Sequence, residues 1–158
     1  LVIMSPKSLL RLPAARSTIK ELSEGSFETL IKDTTVKAAK ARRIVLCSGK
    51  VYYDLVKERE DQGVDDVAIV RVEQLYPLRA GDWKKLLKPY KEDVDIVWVQ
   101  EEPWNMGAWF FIQARLPAII GEKRKLRCIS REESASPATG SRASHLFEQD
   151  QILKAALK

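Results

Sequence analysis

The chain has 158 residues, 45 % apolar and 31 % charged, with a formal net charge of +5. That length suits one domain with a proper core, and acids and bases interleave, so the basic excess is too mild to mark a nucleic-acid-binding protein. No apolar run is long enough to cross a bilayer, no charged-then-apolar stretch of signal type is present, and a single histidine with two distant cysteines argues against a metal centre.

In chain order, "LVIMS" (1–5) predicts a short strand ended by Pro6. An apolar opening without an initiator methionine leads to the expectation of a piece of a longer chain. In 6–23, Pro13 separates a turn of helix from a short amphipathic helix. Residues 24–42 mix Gly, Thr and Lys with little periodicity and predict a loosely packed linker arm. The expected domain division is therefore the tail of a preceding domain and a linker arm over 1–42, and an α/β domain over 43–158.

From Arg43 the pattern becomes regular. "RIVLCSG" is a continuous apolar run of the kind covered on both faces of a sheet. "GKVYYDLVKEREDQG" predicts a helix with Val51, Leu55 and Val56 inward and Gly63 at its end. "DVAIVRVEQL" predicts a second strand. The helix within 76–91 has Asp82 as its expected N-cap and Trp83, Leu86 and Leu87 facing inward. "DIVWVQEE" predicts a third strand, followed by a helix over 105–120 capped by Asn105. A fourth strand, "KRKLRCISR", and a closing helix over 141–158 complete the pattern. Strands alternating with helices predict a largely parallel sheet between helical layers, with functional loops at the carboxyl ends of the strands.

Three stretches near that edge draw attention. Ser48-Gly49-Lys50 joins a strand to a helix, but it lacks the further glycines and the Lys-Ser/Thr pair of a phosphate loop, so a Ser48 cap with a glycine turn is the better reading. Glu101 and Glu102 are adjacent at a strand end. Alternation sends them to opposite faces, so they do not form a matched acid and base. Trp104, Trp109, Phe110 and Phe111 exceed what one helix face can bury, which predicts aromatic surface for another domain or subunit. Residues 130–141 read as an exposed loop, and His145 as a surface or interface residue without a nucleophile beside it. Cys47 and Cys128 sit in apolar strands and read as buried free thiols, favouring a reducing compartment. Lys7, Arg11 and Arg16 form a basic group in the arm, either a solvated face or an acceptor of phosphate.

"MSPKSLLR", "CSGKVYYDL", "DVAIVRVEQLYPL", "QEEPWNMGAW" and "SASPATGS", in that order, resemble the carboxy-terminal part of the 2-oxoglutarate dehydrogenase first component. The resemblance implies a transketolase carboxy-terminal-like α/β domain of three layers, its mostly parallel sheet holding one antiparallel strand. It implies that the complete subunit decarboxylates 2-oxoglutarate with thiamine diphosphate and magnesium, both held by upstream domains, and passes the succinyl group to the lipoyl group of the dihydrolipoyl succinyltransferase component. No catalytic, cofactor-binding or metal residue is carried onto this chain, and an excised domain is expected to be inactive. The implied roles are homodimer building, with Glu101, Glu102, Trp104, Asn105 and Gly107 as candidate interface residues, and effector binding at Lys7, Arg11 and Arg16, where some relatives take acetyl coenzyme A or a nucleotide. Met106 departs from the glutamine usual at its place in the family signature. Partners of nucleic-acid or membrane type are not expected. The implied location is bacterial cytoplasm or mitochondrial matrix. The alternatives are a stand-alone module sensing an anionic metabolite, or the equivalent domain of another 2-oxoacid dehydrogenase or transketolase.

Overall fold

The computed structural model describes residues 1–3 and 5–158. Its centre is made by the apolar runs that periodicity alone marks as doubly covered. Strand β2 (Arg43–Cys47) lies between β3 (Val67–Val72) and β4 (Asp95–Pro103), parallel to both, and β5 (Leu126–Arg131) pairs parallel to β4. A two-residue strand, β1 (Leu30–Ile31), pairs antiparallel with β3 and closes the other edge, giving the order β1-β3-β2-β4-β5. The expected single antiparallel strand is present, and it lies in a stretch read from the sequence as linker.

Alternation along the strands feeds two cores. Ile44, Leu46, Ala68, Val70, Ile96 and Trp98 face α3 (Ala80–Leu87) and α4 (Trp109–Ile120), where Trp83, Leu87, Ile112 and Leu116 are buried. Val45, Cys47, Val67, Ile69, Val97 and Val99 face α2 (Val51–Asp61) and α5 (Arg142–Leu157), against Val51, Leu55, Ile152 and Ala156. The architecture is thus three layers, helix–sheet–helix. Cys47 and Cys128 are free thiols, and burial pushes them up to about 12 and about 11.

Helix α5 is seated by two successive arginines at the start of β2. Arg42 donates to the carbonyls of Lys158 (2.8 Å) and Leu157 (2.6 Å), and Arg43 to those of Ala156 (3.0 Å) and Ala155 (3.3 Å). Cations thereby satisfy the orphan carbonyls at the helix's negative end. Asp66 and Asp95 hold the two guanidinium groups in place at 2.9 and 2.7 Å.

The arm is short and local. Turns of 3-10 helix span Lys7–Arg11 and Pro13–Ala15, followed by α1 (Ile19–Glu24). Thr18 and Glu21 form a capping box at the start of α1. The hydrogen bonds from Thr18 lower the Glu21 pKa. Ile19 and Leu22 nonetheless stay exposed, so the apolar face of α1 is not covered by the described residues. The strand expected over 1–5 includes Met4, which lies outside the described residues; Leu1–Ile3 and Ser5 are exposed and pair with no strand among the described residues.

Residues 29–41 correct the expectation of loose packing. The Thr29 carbonyl accepts from the N–H groups of Glu73 and Gln74, and Val36 and Ala41 are buried in the core. Weak periodicity hid this because single contacts, not a repeating face, hold the segment. Two expected caps are also corrected. Helix α3 begins at Ala80, so Asp82 lies within its first turn and accepts from the Thr29 hydroxyl at 2.9 Å. Helix α4 begins at Trp109, leaving Asn105 in the loop before it. Ser48 makes no capping hydrogen bond at α2 either, although Gly49 does take the left-handed turn, with φ +75°.

Candidate functional site: a preformed loop at the carboxyl edge of the sheet

Parallel topology brings the ends of β2, β4 and β5 to one edge, and the adjacent glutamates separate there as alternation requires. Glu101 shares the face of Val97 and Val99. Its carboxylate lies 2.6 Å from the Lys50 ammonium and accepts from the Gln149 amide at 3.1 Å. Asp54 completes the group, 3.1 Å from Lys50 and 3.0 Å from Gln149. The group ties β4 to α2 and α5. Burial pulls the Lys50 ammonium down, but Glu101 and Asp54 outweigh it and hold the pKa above the usual lysine value. Glu102, on the other face, is exposed. A carboxylate locked in an ion pair beside one in open solvent makes no acid–base couple.

The residue that organises the edge is Gln100, which the sequence reading passed over. It is 3 % exposed at the end of an apolar strand. Its Oε1 accepts from the Trp98 indole N–H at 2.9 Å and from the Trp109 backbone N–H at 3.1 Å. Its Nε2 donates to the carbonyls of Met106 (2.7 Å) and Pro103 (3.0 Å). Gln100 thus supplies the contact to the start of α4 expected of Asn105 and fastens both ends of the 104–108 loop. The signal was available: Gln100 shares the parity of Ile96 and Trp98, so alternation places it in the core. Met106 is half-buried, and its contribution to this network is its carbonyl.

Gly107 is required by the same residue. Its φ is +68°, and a Cβ there would stand 2.9 Å from Gln100 Oε1. The close approach is within the chain. Asn105 joins this loop to the next: its amide donates to the Ser134 carbonyl at 3.0 Å and accepts from the Ser134 N–H at 3.1 Å. Arg131 fastens the following segment by donating to the Glu101 carbonyl, to Thr139 Oγ1 (3.0 Å) and to the Pro137 carbonyl (3.2 Å).

On this fixed frame two aromatic pairs are displayed. Trp104 meets Phe110 edge-on, with centroids 4.9 Å apart and relative exposures of 38 % and 47 %. Tyr76 meets Phe111 at 6.2 Å, and the Arg115 guanidinium lies 4.2 Å from the Phe111 ring centroid. Trp109 is in the core. The four clustered aromatics therefore divide as their number predicts, with more rings than one buried face accepts.

Lys7, Arg11 and Arg16 are exposed on the arm, where Arg16 reaches the Arg11 carbonyl at 3.5 Å. They are not brought to the carboxyl-edge loop by any hydrogen bond or ion pair among the described residues. His145 is half-buried in the first turn of α5. Among the described residues no three His, Cys, Asp or Glu side chains gather as metal ligands.

By architecture this is a mostly parallel α/β domain. It superposes on 2-oxoglutarate:ferredoxin oxidoreductase from Magnetococcus marinus with a TM-score of 0.50 over 88 % of this chain and 21 % of that one, at 10 % identity, a likeness of fold. The chain belongs to the 2-oxoglutarate dehydrogenase C-terminal family, whose profile matches residues 16–157. It is 46 % identical over 158 residues to the 2-oxoglutarate dehydrogenase E1 component of Haemophilus influenzae, covering 99 % of this chain and 17 % of that protein. It is also 46 % identical over 157 residues to the E1 component of Cupriavidus necator, covering 99 % and 16 %. The chain thus spans about a sixth of the length of the curated relatives it matches.

Proposed function

We propose that this chain is the carboxy-terminal part of a 2-oxoglutarate-decarboxylating subunit, and that its own task is assembly of the subunit dimer. In this reading the complete protein decarboxylates 2-oxoglutarate with thiamine diphosphate and magnesium and succinylates the lipoyl group of a dihydrolipoyl succinyltransferase. The chemistry belongs to the part of the subunit outside this chain: the chain spans about a sixth of its relatives, and the acids at its carboxyl edge are tied in an ion pair, as Glu101 is, or free in solvent, as Glu102 is. The family membership supports the parent activity. The observation that carries the assembly role is the Trp104–Phe110 pair, partly exposed where a loop tethered by Gln100 runs into α4. Aromatic side chains on a rigid support are favoured anchors at interfaces.

Two measurements test the two halves. The full-length subunit should decarboxylate 2-oxoglutarate and bind thiamine diphosphate in the presence of magnesium, whereas the 158-residue chain should do neither. Tight binding of the cofactor by the short chain, seen by calorimetry, would move the chemistry into this domain. In the full-length protein, Trp104→Ala should raise the dimer dissociation constant by about tenfold or more, the loss expected of an interface anchor. Sedimentation unchanged by the substitution across a wide dilution range would remove Trp104 from the interface.

A further inference from the structure

The two edges of the sheet are finished differently. At the β3 edge the chain closes its own ladder: β1 pairs with Arg71 and Val72, the Thr29 carbonyl accepts from Glu73 and Gln74, and the Asp33 carboxylate accepts from the Ile69 N–H. At the other edge β5 pairs with β4 alone. The Lys125 and Arg131 carbonyls face β4, where they accept from the Ile96 and Trp104 N–H groups at 3.3 and 2.9 Å. Backbone groups alternate in direction along a strand, so those of Leu126, Cys128 and Ser130 face away from the sheet. They have no backbone partner among the described residues.

Such a row of free donors and acceptors accepts a further strand unless charge guards it. Within β5 the charges are turned to partners of their own. Arg127 lies 3.0 Å from Asp95, and Arg131 donates to Thr139 Oγ1 at 3.0 Å with Glu148 at 3.7 Å. The other charges stand at the two ends of the strand and are of opposite sign: Lys123, Arg124 and Lys125 before it, and the exposed Glu132 and Glu133 after it. Clefts lie along both faces of the strand, one over Ile129, Phe147 and Ile152 on the α5 side and one beside Trp104 on the α4 side.

We infer that β5 is a self-docking edge: it pairs antiparallel with the β5 of a second copy of the subunit and joins the two sheets into one. This rests on the assembly reading above and adds a second surface with its own symmetry and register. The charges select the occupant. About a two-fold axis, the basic residues 123–125 of each strand lie beside the acidic residues 132 and 133 of the other, so both ends attract. A parallel arrangement would set like charges together. The register follows from the free backbone groups. With Cys128 opposite Cys128 on the axis, Leu126 meets Ser130, and every outward-facing residue of one strand has an outward-facing counterpart on the other. A shift of two residues either way leaves one of them beyond the end of the partner strand. The clefts on the two faces leave room for the side chains of the added strand.

The test uses the full-length subunit, with hydrogen exchange read at single residues and dimer dissociation followed by sedimentation. In the wild-type dimer the Cys128 and Ser130 amides should exchange within a few-fold of Arg127 and Ile129, whose N–H groups face β4, whereas at an open edge they would exchange at least about tenfold faster. Ser130→Pro removes an outward N–H and spares the ladder to β4, as proline does on an edge strand, and should raise the dimer Kd by about tenfold or more while freeing the Cys128 amide. Glu133→Lys should weaken the dimer at low salt, and adding Lys123→Glu to the same chain should restore it, because these positions meet only across the axis. A dimer whose Cys128 and Ser130 amides exchange at least about tenfold faster than those of Arg127 and Ile129 overturns the inference. So does Ser130→Pro with an unchanged Kd. Should Ser130→Pro fail to fold, the wild-type exchange and the charge swap still decide. Protected strand amides in a dimer that Trp104→Ala leaves unchanged would remove the Trp104 anchor and keep the edge pairing; open strand amides in a dimer that Trp104→Ala weakens would do the reverse.

Discussion

Asp33→Ala should lower the unfolding free energy by about 3–5 kcal/mol, the range for removing one partner of a buried ion pair. Asp33 and Arg59 are paired with side-chain exposures of 3 % and 6 %. The Asp33 carboxylate also accepts from the backbone N–H groups of Ile69 (2.8 Å), Thr35 (2.7 Å) and Val36 (3.0 Å). Arg59 donates further to the Val67 carbonyl (3.1 Å) and to Thr35 Oγ1 (2.8 Å). Replacing both partners with apolar residues is often nearly neutral for a buried pair, but here it should not be, because three backbone donors would lose their acceptor. The loss should appear first as release of residues 29–36 from the edge of the sheet. pH gives a second reading. Burial acts to raise the Asp33 pKa, but the hydrogen bonds from Ile69, Thr35, Val36 and Arg59 outweigh it and hold the pKa below the ordinary aspartate value. A carboxyl depressed in the folded state stabilises fully above its unfolded pKa of about 3.9, and loses that contribution as pH falls through the folded value. The stability gap between wild type and Asp33→Ala should therefore be widest near neutrality and narrow below about pH 4. A gap constant with pH in urea titrations would mean that the ionised carboxylate is not what stabilises.

The layered fold was legible because both faces of its central strands are covered, which writes continuous apolar runs such as "RIVLC" and "DIVWV" into the sequence. The antiparallel strand β1 was not legible from periodicity. Two residues carry no period, and what fixes them is a pair of hydrogen bonds at Thr29 and the Asp33 carboxylate. The resemblance to known 2-oxoglutarate dehydrogenase subunits supplied the strand's existence, and the structure supplied its place. At the edge of the sheet, alternation correctly separated Glu101 from Glu102. The caps failed for a shared reason: Ser48, Asp82 and Asn105 have the right chemistry, but Lys50, Arg79 and Ala108 occupy the cap positions. Local preference for a capping residue does not fix where a helix starts when a side chain from a neighbouring strand can satisfy its amino end. Gln100 does this for α4. It was overlooked because a lone polar residue at a strand end is usually read as the boundary of the core.

Gly107→Leu should destabilise the isolated chain as well as any assembly, by about 2–5 kcal/mol. The left-handed backbone at φ +68° costs a non-glycine residue roughly 1–2 kcal/mol. Forcing a Cβ to 2.9–3.0 Å from the Gln100 amide adds an overpacking cost of order 1–3 kcal/mol, since that amide is fixed by its hydrogen bonds and cannot retreat. Both penalties come from the first carbon, so Gly107→Ala should show most of the loss, and the rest of the leucine side chain little more. Glycine at this place is therefore explained by the chain's own packing. The distinction is measurable through concentration. An intrachain cost shifts the denaturant midpoint by the same amount at high and low protein concentration, whereas an interface cost vanishes on dilution, where the dimer no longer contributes. Equal shifts for Ala and Leu at both concentrations are the expected result. A leucine shift much larger than the alanine shift, and present only at high concentration, would instead place a second chain directly against Gly107.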